Sequence, residues 1–105
     1  MFEDWPDNFD PPSYMEVDPP SPVTVDLAAA IPTAARVFRR DQLPLRIKSG
    51  GLDLTGRIPG LLHAWARSAD GTWIGLVEFV VSTGNKRGRL KMRQWCPRRA
   101  LEQQE

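Results

Sequence analysis

The chain has 105 residues, 41% of them apolar and 26% charged, the composition of one small globular domain. A single cysteine, Cys96, excludes an intrachain disulfide and a cysteine-rich metal centre, and suits a reducing compartment. No run approaches the roughly 18 apolar residues that span a bilayer, and the acidic opening MFEDWPDNFD is the reverse of a secretory or mitochondrial signal. No membrane partner is therefore expected, and the expected location is cytoplasmic.

The net charge of +1 hides a division. Residues 1–26 hold seven acids and no Lys or Arg, a charge of −7, while residues 27–105 hold six acids and all 14 basic residues, a charge of +8. An acidic tail on a basic body follows from that asymmetry.

Residues 1–25 read as a disordered, proline-rich tail. Pro6, Pro11, Pro12, Pro19, Pro20 and Pro22 remove backbone donors and fix φ, and no 2- or 3.6-residue period offers a buried face. Yet Phe2, Trp5, Phe9, Tyr14 and Met15 interleave with the acids. Acidic-aromatic segments of this kind order by docking in a basic or apolar groove, on another protein or on the chain's own basic face. Phe2, Trp5, Phe9 and Tyr14 are the candidate protein-interaction residues.

Residues 26–43 form a short helical or irregular lead-in. Asp26 is placed to cap one turn, LAAAI, which Pro32 stops; Thr33 is placed to cap a second helix, AARVFRRDQL, ended by Pro44, with a strand over 35–39 as the alternative.

From residue 44 to 105 the signals are β. Leu45 and Ile47 alternate with Arg46 and Lys48, and Ser49-Gly50-Gly51 turns the chain into Leu52-Asp53-Leu54. Asp70-Gly71 lies between two apolar runs, the signature of a type I′ hairpin. The strand over 72–82 is apolar on both faces, so neighbours should flank it, and Gly75 suggests a bend or bulge. A loop over 82–88 leads to a last strand over 89–96, and Pro97 opens a short C-terminal helix, RRALEQQ.

Five short strands with one or two short helices make a mainly β domain with the spacing of a small barrel. In its hairpin, its long inner strand and its helical turn after the last strand, the pattern resembles SH3-like barrels; an OB-like barrel is the second choice.

Chemistry concentrates in the last strand. Alternation puts Arg87, Arg89, Lys91, Arg93 and Trp95 on one side, Lys86 extends the charge into the loop, and Arg98 and Arg99 follow, so residues 86–99 hold seven cations and no acid. Side chains two apart on one face lie roughly 6.6–7 Å from each other, which suits successive phosphates of a nucleic acid, and Trp95 offers a ring for an unpaired base. The same row would also protect a sheet edge from aggregation. The loop STGNKRG could hold a phosphate on its backbone N–H groups, although it lacks a P-loop's GK[ST] ending.

His63, the one histidine, has no neighbouring ligand set, and Ser68, His63 and Asp70 lack a nucleophile-elbow pattern. No catalytic residue, metal or cofactor is therefore expected. Glu78 on an apolar strand calls for a basic partner, Arg67 or Arg93. Trp65 and Trp73 read as core anchors, or, if exposed beside Arg57 or Arg67, as a stacking groove; Cys96 reads as a buried small apolar residue. The expected function is non-enzymatic binding of nucleic acid, DNA or RNA, through a basic edge strand, with the acidic tail able to compete for that face. A protein-interaction adaptor or small regulator, using the tail or a barrel groove, is the alternative.

Overall fold

The computed structural model describes residues 1–6, 12–33 and 44–104. Strand β1 (Tyr14–Asp26) runs directly into the single-turn helix α1 (Leu27–Ala30). Helix α2 (Leu45–Gly50) precedes β2 (Arg57–Arg67), β3 (Trp73–Ser82) and β4 (Arg89–Pro97); a 3-10 turn, Arg98–Ala100, then leads into β5 (Leu101–Gln103). The five strands form one antiparallel sheet in the order β4-β3-β2-β1-β5. The chain is thus mainly β with five strands and two short helices, as expected, but only some strands are the expected ones. Among the described residues no helix is long and apolar enough to cross a membrane.

The largest departure is at the N-terminus. Residues 14–25, expected to be disordered, belong to a strand held between β2 and β5. Val23 and Val25 alternate with Thr24 and are fully buried, a period-2 signal that the neighbouring prolines obscure. Those prolines fall where a ladder tolerates them. Pro19 and Pro20 lie in a register irregularity between Glu16 and Ser21, and β5 pairs only with Val23 to Val25. Among the described residues most of β1 therefore has one partner strand, and its other side needs no donors.

Other corrections follow the same logic of local chemistry. Leu45 to Lys48 is not a strand but the start of α2, because Pro44 fixes the entry and its carbonyl accepts from the N–H groups of Ile47 and Lys48. The alternation there buries nothing: Leu45 is 79% exposed. Leu52 makes only an isolated bridge to Thr83. The β2–β3 connection is not a type I′ turn. Of Asp70 and Gly71 only the glycine has positive φ, 92°, and the loop closes by Gly71 N–H to Ser68 O and Ser68 N–H to Thr72 O. Instead of a C-terminal helix, one 3-10 turn is followed by β5, where the apolar Leu101 is recruited to the sheet beside Val25. The helical turn expected over 27–31 is present as α1, and the helix or strand expected over 34–43 lies outside the described residues.

One face of the sheet carries the core. Val23 and Val25 of β1, Leu62 of β2, Val77, Phe79 and Val81 of β3 and Cys96 of β4 pack together, closed by Leu27 and Ala30 of α1 and by Ala100. Burying each Val, Leu or Phe contributes about 1.5–3 kcal/mol. The strand over 72–82 lies between β2 and β4; Val77, Phe79 and Val81 are buried on its core face, while Val80 on the other face is 44% exposed. Gly75 in it is needed for close approach rather than for a bend: a Cβ there would lie 2.7 Å from Leu101 Cδ1 and 2.9 Å from Leu62 Cδ1. The irregularity sits opposite, in β2, where the β2–β3 register shifts between Leu62 and Ala64 and leaves His63 as the extra residue. Leu62 consequently pairs with Val77 on the core face, while Ala64 pairs with Leu76 on the other.

Candidate functional site

Strand β4 ends the pairing order, so among the described residues one of its edges has no partner strand. Met92 and Gln94 are half-buried and Cys96 is buried, while Arg89, Lys91 and Arg93 are exposed and Trp95 is 39% exposed. The alternation places three cations and an indole along one outward face. Gln94 is inward for a reason: its side-chain amide donates to the carbonyl of Ala30 at 3.1 Å, tying β4 to the end of α1.

The row is only partly neutralised. Lys91 Nζ lies 3.6 Å from Glu78 Oε1, and Lys86 Nζ lies 3.5 Å from Asp53 Oδ2. Arg87, Arg89, Arg93, Arg98 and Arg99 form no ion pair with a described residue. Glu78 was expected to pair with Arg67 or Arg93; it contacts Lys91 and, at 3.9 Å, His63 Nε2. Arg67 cannot reach it, because Arg67 pairs with Trp73 while Glu78 pairs with Leu61. The bulge turns His63 toward Glu78, and its Nε2 is buried without a hydrogen-bond partner among the described residues.

The loop after β3, which could have held a phosphate on its backbone, is a plain turn whose N–H groups already donate within the chain. Gly84 and Asn85 donate to Gly51 and Ser49, Lys86 to Thr83 O, Arg87 to Asn85 Oδ1, and Gly88 to Thr83 Oγ1. What the loop offers a ligand is the Lys86 and Arg87 side chains, held on a braced turn that includes Lys86 at φ 66°.

The acidic-aromatic segment packs on the protein itself. Phe2 stacks on Tyr14 with ring centroids 4.4 Å apart, Trp5 lies 4.9 Å from Tyr14, and Phe2 lies 6.5 Å from Trp95. Register places Tyr14 beside Ala66 and Trp95 beside Leu76, so the aromatic cluster sits on the face opposite the core, next to the basic row. The amino terminus contacts Glu3 and, at 3.8 Å, Glu16. Phe9 lies outside the described residues.

Trp65 and Trp73, expected as core anchors, are half-buried: Trp65 packs against the core cluster, and both line an open cleft of about 510 Å³ with Met15, Leu101 and Arg98. The Arg67 guanidinium lies 5.4 Å from the Trp73 ring centroid. This cleft joins the β2–β3 hairpin to β1 and β5. It could not be read from the sequence because β1 and β5 were not expected as strands.

The remaining titratable groups serve the turns and the core. Asp70 accepts from the hydroxyl of Ser68 and from the N–H and hydroxyl of Thr72, which hold its carboxyl down from 3.8 to about 2. Hydrogen bonds from Thr55, and more weakly Lys86, likewise lower Asp53. Burial pushes the Cys96 thiol up, the environment of an unreactive core sulfur. Among the described residues no group of three or more His, Cys, Asp or Glu could hold a metal ion. Comparison of the chain with protein-family models, with curated proteins and with solved structures finds no match.

Proposed function

We propose that this chain is a non-enzymatic, cytoplasmic nucleic-acid-binding module carried on a small SH3-like barrel. The barrel reading draws on the β4-β3-β2-β1-β5 order with a 3-10 turn between the last two strands. One observation carries the functional reading: the strand that ends the sheet order presents Arg89, Lys91, Arg93 and Trp95 on one exposed face, in a stretch of seven cations without an acid. Arg89 and Arg93, which have no acidic partner among the described residues, contact phosphates; Lys91 exchanges Glu78 for phosphate, and Lys86 and Arg87 assist from the turn. Arg98 and Arg99 lie past Pro97 and serve a second area, beside the Trp73 cleft and the hairpin turn. Phe2, from the acidic N-terminus, lies where a base would approach Trp95, so that segment competes with nucleic acid. Because Phe2, Trp5 and Tyr14 are engaged within the chain, they support this self-docked role better than display of a free ligand motif to a protein partner.

Binding of the full chain to a labelled mixed-sequence oligonucleotide, single- or double-stranded, across a salt series tests this. Three to five phosphate contacts predict that log K falls linearly with log salt, with a slope of about −0.7 to −0.9 per contact. Absence of binding at low salt overturns the proposal.

A further inference from the structure

We infer that the cleft between Trp65 and Trp73 is a pocket for one unpaired nucleobase, with Arg98 at its rim taking the adjoining phosphate. This rests on the nucleic-acid reading and deepens it, because the cleft is separate from the Trp95 row. Its volume of about 510 Å³ falls within the range of about 300–1,000 Å³ found for small-molecule sites. Two indoles, with Met15 and Leu101 beside them, supply flat apolar walls, and any base has a face to stack on them. Gln103, at the same cleft, brings an amide that can both donate to and accept from a base edge.

Charge decides between occupants. A pair of tryptophans is also a cage for a quaternary ammonium group. Here, however, the Arg67 guanidinium already sits against the Trp73 ring and Arg98 lines the cleft. The one carboxylate among the described lining residues, Glu102, is engaged by Arg57 at 3.2 Å. The local balance repels a cation and welcomes an aromatic ring attached to a phosphate.

Continuity with the basic strand supports the same occupant. Arg98 and Trp73 line both the cleft and the adjoining hollow that holds Pro97 and Arg99. Arg98 directly follows Pro97, the last residue of β4, about five residues or roughly 17 Å along the chain from Arg93. A single strand laid on Arg89 and Arg93 can therefore turn its next bases around the end of β4 into the cleft. A duplex, whose bases stay stacked, cannot.

The test uses the full chain, a single-stranded and a double-stranded oligonucleotide of one sequence, and a trimethyl-lysine peptide, read by tryptophan quenching and by affinity. Single strands should bind more tightly than duplex and quench the indoles. Trp73→Leu should lower single-strand affinity about 5- to 150-fold, the range measured for lost base stacking, with duplex affinity unchanged. Arg98→Gln, an exposed substitution that does not depend on refilling a core position, should reduce the single-strand salt slope by about 0.7. If both variants bind single strands as the parent does while Arg89→Gln/Arg93→Gln is impaired, the basic-strand reading stands and the pocket falls. Quenching by the trimethyl-lysine peptide but not by the single strand also overturns the pocket. If the parent binds neither oligonucleotide, both fall together.

Discussion

Replacing Gly75 by alanine adds one methyl group at a crowded point of the sheet. The new Cβ would sit 2.7 Å from Leu101 Cδ1, 2.9 Å from Leu62 Cδ1 and 3.2 Å from Trp65 Cζ3, against an optimum of about 3.5–4.0 Å between carbon atoms. The three neighbours differ in freedom. Leu101 is half-buried and borders the cleft, so its methyl can swing outward. Leu62 is fully buried at the centre of the core and has nowhere to go. Partial relief at one contact and none at the other places the cost at about 2 kcal/mol, within the overpacking range of about 1–3. In a domain of this size that lowers the melting temperature by roughly 8–16 °C. Thermal unfolding followed by circular dichroism measures it, and Leu101→Ala in the same chain should make the Gly75→Ala step cheaper, because it removes the closest clash. A Gly75→Ala protein that melts at or above the parent temperature would refute the packing account of this position.

Phe2→Ala uncovers Trp95, and the lost aromatic contacts, worth about 0.5–1.5 kcal/mol, should appear as a roughly 2- to 12-fold gain in single-strand affinity, measured by fluorescence anisotropy. Asp70 is ionised more readily folded, at about 2, than at its ordinary 3.8. Its contribution is therefore complete above pH about 4 and lost as pH falls through about 2. Melting curves of Asp70→Asn should lie below the parent at pH 7, with the gap closing as pH falls to 2 and below. Cys96 is buried with a raised pKa, so an alkylating reagent at pH 8 should leave it unlabelled until denaturant is added.

The legible parts of the fold were those in which one signal acted alone. The apolar run of β3 and the alternation of β4 are uninterrupted, and both strands lie nearly where their patterns put them. The illegible parts mix two signals. In β1 the alternation of Val23 and Val25 is set among prolines that normally break strands, and only the identity of its neighbours makes them acceptable. In α2 the alternation of Leu45 and Ile47 was present but bought no burial, so Pro44 and local hydrogen bonds decided the conformation. Leu101 looked helical because three residues of β5 are too few to show a period. The basic row of the candidate site was readable because charge and spacing are local properties. The cleft was not, since Met15, Trp65, Trp73 and Leu101 meet only through long-range pairing of strands that the sequence concealed. Removing residues 1–26 would accordingly delete a strand lying between two others, rather than free the basic face.

The central claim is that exposed arginines of β4 bind phosphates, and the salt dependence of an Arg89→Gln/Arg93→Gln variant tests it most directly. Both side chains point to solvent and neither pairs with a described acid, so the substitutions should leave the melting temperature essentially unchanged. Affinity for single- and double-stranded oligonucleotides alike should fall, and the slope of log K against log salt should become shallower by about 1.4–1.8, two phosphate contacts' worth. A variant that folds like the parent and keeps both its affinity and its slope would contradict the account.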